Sequence, residues 1–258
     1  MAPHKTINSI VRASNVLRCL ANGMGRISDI SQYIGLPKGT THRLLKTLES
    51  TGFVIQDPVS RQYSLGNLIA ELASNPLITH QNLIICSLEE LENLRNSTNE
   101  TVTLQVRIGL ERVTLEEVQS FHNLRYSSGR GDSSPIYTGA AGKVLLSELE
   151  QGDLEILLKN IKPLPMTKNT ITDKRVLLKE VERARKHGYA TSSGEAQEGS
   201  AAIAVPIRNY VCPLALSIVG PESRFLQKRM SFLDELKRSA NDISRKVREI
   251  GGLTKGPM

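Results

Sequence analysis

Five side chains that readily meet nucleic acid, Lys38, Thr40, His42, Arg43 and Lys46, fall within nine consecutive residues after Pro37. Arg can bridge a guanine with two parallel hydrogen bonds, Thr reads several base edges, and Lys neutralises phosphate. Thr41 lies among them, and Arg61 follows in the next turn-rich segment. A second run, Thr138-Gly139-Ala140-Ala141-Gly142, places small residues at an expected helix start. Backbone N–H groups there lack partners and favour an anion such as a carboxylate. Close packing of a helix on a sheet also demands small residues, so the run alone leaves both readings open.

Other chemistry is poorly supplied. His4, His42, His80, His122 and His187 stand apart, with no His-x-x-x-His, and neither Gly-x-Ser-x-Gly nor Gly-x-x-x-x-Gly-Lys occurs. Cys19, Cys86 and Cys212 form no Cys-x-x-Cys pair and read as small buried hydrophobes. The carboxylate pairs Glu89–Glu90, Glu116–Glu117 and Glu195–Glu198 read as solvated faces. No catalytic residue, metal site or cofactor is expected, and the chain does not read as an enzyme.

The elements that position the basic cluster are legible from periodicity. Ile7, Ile10, Val11, Ser14, Val16, Leu17 and Leu20 recur at three- and four-residue steps and predict one amphipathic helix ending near Gly23. Ser28 is expected to cap a short second helix that buries Ile30, Tyr33 and Ile34. Gly35-Leu36-Pro37 stops it, and a third helix carries Leu44, Leu45 and Leu48 inward until Gly52. Two helices about a tight glycine turn, then apolar runs at 53–55 and 62–65 flanking Asp57-Pro58-Val59-Ser60, predict a helix-turn-helix with a wing.

At 258 residues, with 39% apolar and 23% charged side chains, the chain has room for two domains. The boundary is placed at Asn75-Pro76, giving a DNA-binding domain over 1–75 and a larger domain over 76–258. The first 75 residues carry 8 Lys/Arg against 4 Asp/Glu, and the remaining 183 carry 25 against 22. The basic surplus is therefore denser in the first segment, which favours a polyanionic partner there. Beyond the boundary the pattern predicts a helix over 81–95, strands over 101–108, 113–118, 124–128, 201–208 and 214–219, and helices over 141–149, 153–159, 173–187 and 223–250. That order predicts an α+β domain, an antiparallel sheet flanked by helices. No apolar run approaches a membrane span and no signal-type segment is visible, so a cytoplasmic protein without a membrane partner is expected.

Residues 28–49, with Leu-Pro-Lys-x-Thr-x-His-Arg-Leu-Leu at their core, then Gly-Phe-Val at 52–54 and Tyr-Ser-Leu-Gly at 63–66, resemble the DNA-binding domain of IclR-family regulators. Thr41 departs from the apolar residue usual there. The resemblance continues through Asn99-Glu100-Thr101-Val102, residues 135–143, Arg185-x-x-Gly188-Tyr189-Ala190, Ile203-Ala204-Val205-Pro206-Ile207 and Ser217-Ile218-Val219-Gly220-Pro221. It implies a winged helix-turn-helix with a linker helix and a GAF-like effector-binding domain, acting on double-stranded operator DNA as a repressor or activator. It also implies a homodimer or homotetramer and a small carboxylate or related catabolite as effector. DNA-binding positions are then Lys38, Thr40, Thr41, His42, Arg43, Lys46 and Arg61. Effector-binding positions are Thr138, Gly139, Ala140, Ala141, Ser193, Glu195, Ala202 and Ser217, with Tyr137 standing where His is common. A metal or redox sensor would need converging Cys or His, and a general nucleoid protein would not need the large second domain.

Overall fold

A computed structural model describes residues 6–225 and 227–252, and it divides into two compact units, 1–75 and 76–258. His4 and the other residues before Thr6 lie outside the described residues.

The first unit holds α1 (Asn8–Ala21), α2 (Ile27–Ile34), α3 (Lys38–Ser50), the hairpin β1 (Val54–Gln56) and β2 (Tyr63–Leu65), and α4 (Asn67–Leu72). Its core joins Val16, Cys19 and Leu20 of α1, Ile30 of α2, Leu45 and Leu48 of α3, and Val54 and Tyr63 of the hairpin. Gly35 caps α2 at φ +66, a left-handed conformation that costs a residue with a Cβ about 1–2 kcal/mol. Three expectations fail locally. The α2 cap is Arg26, whose carbonyl receives the N–H of Asp29 and Ile30, while the Ser28 hydroxyl bonds Asp29. Tyr33 is 64% exposed, because Ile27, Ile30 and Ile34 fill the inward stripe. Along the stripe predicted for α1, burial begins only at Val16, with Ile7, Ile10, Val11 and Ser14 exposed.

The second unit runs α5 (Pro76–Thr79), α6 (Gln81–Thr98), β3 (Thr101–Ile108), β4 (Glu111–Val118), β5 (Ser133–Pro135), α7 (Gly139–Ser147), α8 (Gln151–Asn160), α9 (Lys174–His187), β6 (Ala190–Ser193), β7 (Ser200–Ile207), β8 (Leu214–Pro221), α10 (Glu222–Phe225) and α11 (Arg229–Gly252). The six strands form one antiparallel sheet in the order β5-β4-β3-β8-β7-β6. Alternation sends Val102, Leu104 and Val106 of β3 and Leu214, Leu216 and Ile218 of β8 into a core with α6 and α11. The opposite face, with Ala204 and Ala215, packs on α7 and the helices behind it. Gly142 of α7 admits the chain entering that helix: a Cβ there would sit 2.1 Å from the Ile136 carbonyl oxygen. The β3–β4 ladder slips once, between Leu104 and Gln105.

Residues 124–128, expected as a strand, are irregular, and short edge strands β5 and β6 form instead. The long C-terminal helix is broken into α10 and α11. No described helix is long and apolar enough to cross a membrane.

Candidate functional site

Helix α3 presents two faces. Leu45 and Leu48 are inside, while Lys38, His42, Arg43 and Lys46 are exposed and Thr40 is half-buried beside them. Arg61, exposed at φ +58, sits in the hairpin turn, where Asp57 accepts from the N–H groups of Val59 and Ser60. Those bonds hold the Asp57 carboxyl below its ordinary range. Lys46 is engaged within the chain, 2.7 Å from Glu49 and 3.4 Å from Gln56. Thr41 does not belong to the outward set. It is fully buried, its hydroxyl donates to the Pro37 carbonyl at 3.2 Å, and a base or phosphate has no access to it.

The second unit has a narrow cleft between the α7 start and the sheet, with a cavity volume of about 30 Å³. Of the residues expected around an effector, Gly139, Ala140, Ala141, Ala202 and Ser217 line it. Thr138 is not among the lining residues: it is fully buried and its hydroxyl donates to Pro135 O at 2.8 Å. Ser193 faces away from the cleft and bonds Glu222, because β6 pairs Ser192, not Ser193, with Ala202. Ser192 therefore takes the lining position.

Glu195 lies behind the cleft wall. Its Oε2 accepts the Gly139 N–H at 3.2 Å and its Oε1 meets Lys143 Nζ at 2.5 Å. Lys143, 2% exposed, also donates to the Thr191 carbonyl at 2.9 Å and lies 3.7 Å from Glu180. Thr170 donates to the Glu195 carbonyl at 2.7 Å and fixes its backbone. Burial pushes the Glu195 carboxyl above its ordinary range, against the pull of Lys143 and the Gly139 N–H. The chain thus supplies its own carboxylate to the first amide of α7.

Of the polar wall opposite, sequence reading gave Ser217 alone and missed Thr103, Gln105 and Arg112. Thr103 and Ser217 face each other across β3 and β8, their hydroxyl oxygens 2.6 Å apart. Beyond them, Gln105 Nε2 donates to Thr114 at 3.1 Å, and its Oε1 receives Arg112 Nη1 at 3.0 Å. Arg112, 6% exposed, also donates from Nε to Thr138 O at 3.2 Å. Burial lowers its pKa from the usual guanidinium value, while Tyr126 and the more distant Glu195 favour the charge. Among the described residues no carboxylate lies within ion-pair distance of it. The one available signal was a cation at the mouth of an apolar strand. Reading 109–111 as the turn hid it, whereas Ile108 pairs Glu111 across a two-residue turn.

Tyr126 reaches the cleft from the segment after β4. Thr101 donates to the Tyr126 carbonyl at 2.7 Å, and Glu117 accepts from Ser127, from the N–H and hydroxyl of Ser128, and from the Gly129 N–H. Although burial opposes it, these bonds hold the Glu117 carboxyl below its ordinary value. Among the described residues no three His, Cys, Asp or Glu side chains converge as metal ligands do.

A family model described as the IclR helix-turn-helix domain matches residues 9–58, and one described as bacterial transcriptional regulator IclR C-terminal matches residues 76–245. The HTH-type transcriptional regulator KipR of Bacillus subtilis is 32% identical over 226 residues, 86% of this chain and 89% of the relative. The crystal structure of Thermotoga maritima IclR is 29% identical with a TM-score of 0.63, over 94% of this chain and 100% of that one. An IclR homolog from Microbacterium hydrocarbonoxydans complexed with 4-hydroxybenzoate is similar in fold, 23% identical with a TM-score of 0.60, over 93% of this chain and 99% of that one.

Proposed function

The chain belongs to the IclR family of bacterial transcriptional regulators, and from that premise we propose that α3 reads operator DNA while the cleft beneath α7 holds the effector. The exposed row Lys38, His42 and Arg43, backed by the buried Leu45 and Leu48, carries this reading. A helix with one apolar and one basic face, preceded by a short helix and followed by a wing, is built to dock in the major groove. Arg43 is assigned to a base edge, Thr40 and His42 to bases or the adjacent backbone, and Lys38, Lys46 and Arg61 to phosphates. One helix with so few reading side chains specifies too few base pairs, so the working unit is a homodimer or homotetramer on paired half-sites. The exposed Ile7, Ile10 and Val11 at the start of α1 favour such association.

For the effector, the relative that holds 4-hydroxybenzoate supports a small organic acid as the class. The regulator works by a coupling free energy, typically about 1–3 kcal/mol, between cleft and operator, and the coupling is reciprocal. No catalytic role is assigned to the cleft. The chain is placed in the cytoplasm, where its operator would be. The test is operator binding by an Arg43→Ala/Lys38→Ala double variant shown to be folded: affinity is expected to fall at least tenfold, and wild-type affinity would remove α3 from the interface.

A further inference from the structure

The wing holds an arginine where a glycine would sit without strain. Arg61 takes φ +58, and the other two described non-glycine residues at positive φ are asparagines, Asn99 and Asn209, which adopt it more readily. A strained backbone persists where the surrounding structure holds it, and such positions gather where a side chain is in use. Two bonds hold this one: the Arg61 N–H donates to the Asp57 carbonyl at 3.0 Å, and the Arg61 carbonyl accepts from Gln56 Nε2 at 3.0 Å. The second bond reaches beyond the turn. Gln56 ends β1 opposite Tyr63, on the side of the hairpin that sends Val54 and Tyr63 into the core with Leu45 and Leu48 of α3. Its Oε1 accepts from Lys46 Nζ of α3 at 3.4 Å. One neutral carboxamide thus joins the recognition helix to the wing, with a cation at each end. The bond to Glu49 holds the Lys46 ammonium above its ordinary range, and Arg61 is near enough to oppose it. Two like charges held this close repel in the free chain, and an anion lying across both relieves the repulsion.

We propose that Gln56 is a positioning residue of the DNA interface: by tying the Arg61 carbonyl to Lys46, it presents both cations to one stretch of phosphate backbone. This deepens the assignment of α3 and the wing to operator DNA, and rests on it. Phosphate contacts fix a protein's register and orientation on the duplex while carrying no sequence information themselves. A clamp between helix and wing therefore sets how the row on α3 enters the groove. Because the clamp is formed in the free chain, docking does not have to order the wing. A wing released from Gln56 would give up part of the Arg61 contact although no charge has been lost.

Operator affinity of the full chain, measured from about 50 to 200 mM salt, tests this with Gln56→Met, Arg61→Ala and the double variant. Methionine keeps the length of the side chain and removes both hydrogen bonds. Arg61→Ala is expected to lower the slope of log affinity against log salt by about one for each bound protomer. Gln56→Met removes no charge, yet its slope is expected to fall by part of that amount, with affinity about threefold lower or more at the low-salt end. The double variant is expected to bind no more weakly than Arg61→Ala. In the free chain, amide exchange at 59–62 is expected to quicken in Gln56→Met while α3 stays protected. A wild-type slope in Gln56→Met, whether or not its melting temperature falls, would overturn the positioning role, since a merely structural contact lowers stability without changing the slope. Additive losses in the double variant, or unchanged exchange at 59–62, would overturn it as well. An unchanged slope in Arg61→Ala would take the wing off the backbone, and this proposal with it. That result would leave α3 in place, where the Arg43→Ala/Lys38→Ala variant tests it separately.

Discussion

Lys143 and Glu195 meet at 2.5 Å behind the wall of the cleft, both shielded from solvent, and join α7 to the segment after β6. A buried pair adds little over apolar residues of the same shape, but removing one partner strands the other. Lys143→Met is expected to destabilise the second unit by about 3–5 kcal/mol near neutral pH. The Glu195 carboxyl, already pushed up by burial, then loses the pull of Lys143 and is pushed further toward its neutral form. Its raised pKa means the neutral form persists above the ordinary carboxylate range, and the penalty builds as pH rises from the ordinary value to the folded one. The variant should therefore lose least stability in mild acid. Adding Glu195→Gln should recover much of the loss, and thermal melts of the two single variants and the double variant measure that coupling.

Thr41 and Arg43 sit two residues apart on α3 and should behave oppositely. Thr41→Val keeps the shape and gives up one bond to the Pro37 carbonyl, so stability should change by about 1 kcal/mol or less with operator affinity unchanged. Arg43→Ala should leave stability nearly unchanged and weaken operator binding by about 1–3 kcal/mol at one base position. Equal losses of operator affinity in both variants would argue that α3 is misassigned.

Ser192 and Ser193 form the same kind of contrast in the cleft. Ser192→Leu should fill the cleft beside Ala202 and abolish the effector response while operator binding persists. Ser193→Ala removes only the bond to Glu222 and should leave the response intact. The readout is effector-dependent release from, or recruitment to, operator DNA.

The Glu117 carboxyl, held below its ordinary value of 4.5 by the hydrogen bonds of Ser127, Ser128 and Gly129, anchors the segment that carries Tyr126. A depressed carboxyl contributes stability that is present above the ordinary value and is lost as pH falls through the folded one. Amide exchange at 126–129, corrected for intrinsic rates, should accelerate as pH falls below the ordinary carboxylate range while the sheet core stays protected. Glu117→Gln should show the faster exchange at neutral pH.

What could be read beforehand divides along physical lines. The first unit was legible because helical periodicity and a proline and glycine stop are local signals, and the exposed cations of α3 followed from them. The capping of α2 was not: Ser28 is a favoured cap type, but the helix begins at Ile27 on the Arg26 carbonyl, with no side-chain cap to mark it. In the second unit, β3 and the strands β7 and β8 are long apolar runs and stood out. The edge strands β5 and β6 are three and four residues of mixed polarity, and only pairing with a neighbour makes them strands. Missing β6 lost its phase, and Ser193 was taken where Ser192 stands. Arg112 and Tyr126 face the cleft through a tight turn and an irregular segment, neither of which carries a periodic signature.

The slip in the β3–β4 ladder also decides what shares a wall. Arg112 and Glu117 are five positions apart, an odd number, and in an uninterrupted strand they would point to opposite sides of the sheet. The register pairs Arg112 with Arg107, Thr114 with Gln105, and Glu117 with Thr103, so the extra residue at 115–116 corrects the parity. That single insertion acts as a phase shifter. It lets one strand aim a guanidinium into the cleft at one end and grip the segment bearing Tyr126 at the other, with Leu115 still in the core between them. Closing the bulge at the full strand length would turn one of the two ends toward the wrong side, whereas deleting Glu116 would shorten the spacing to four and leave both ends on one side of a regular ladder.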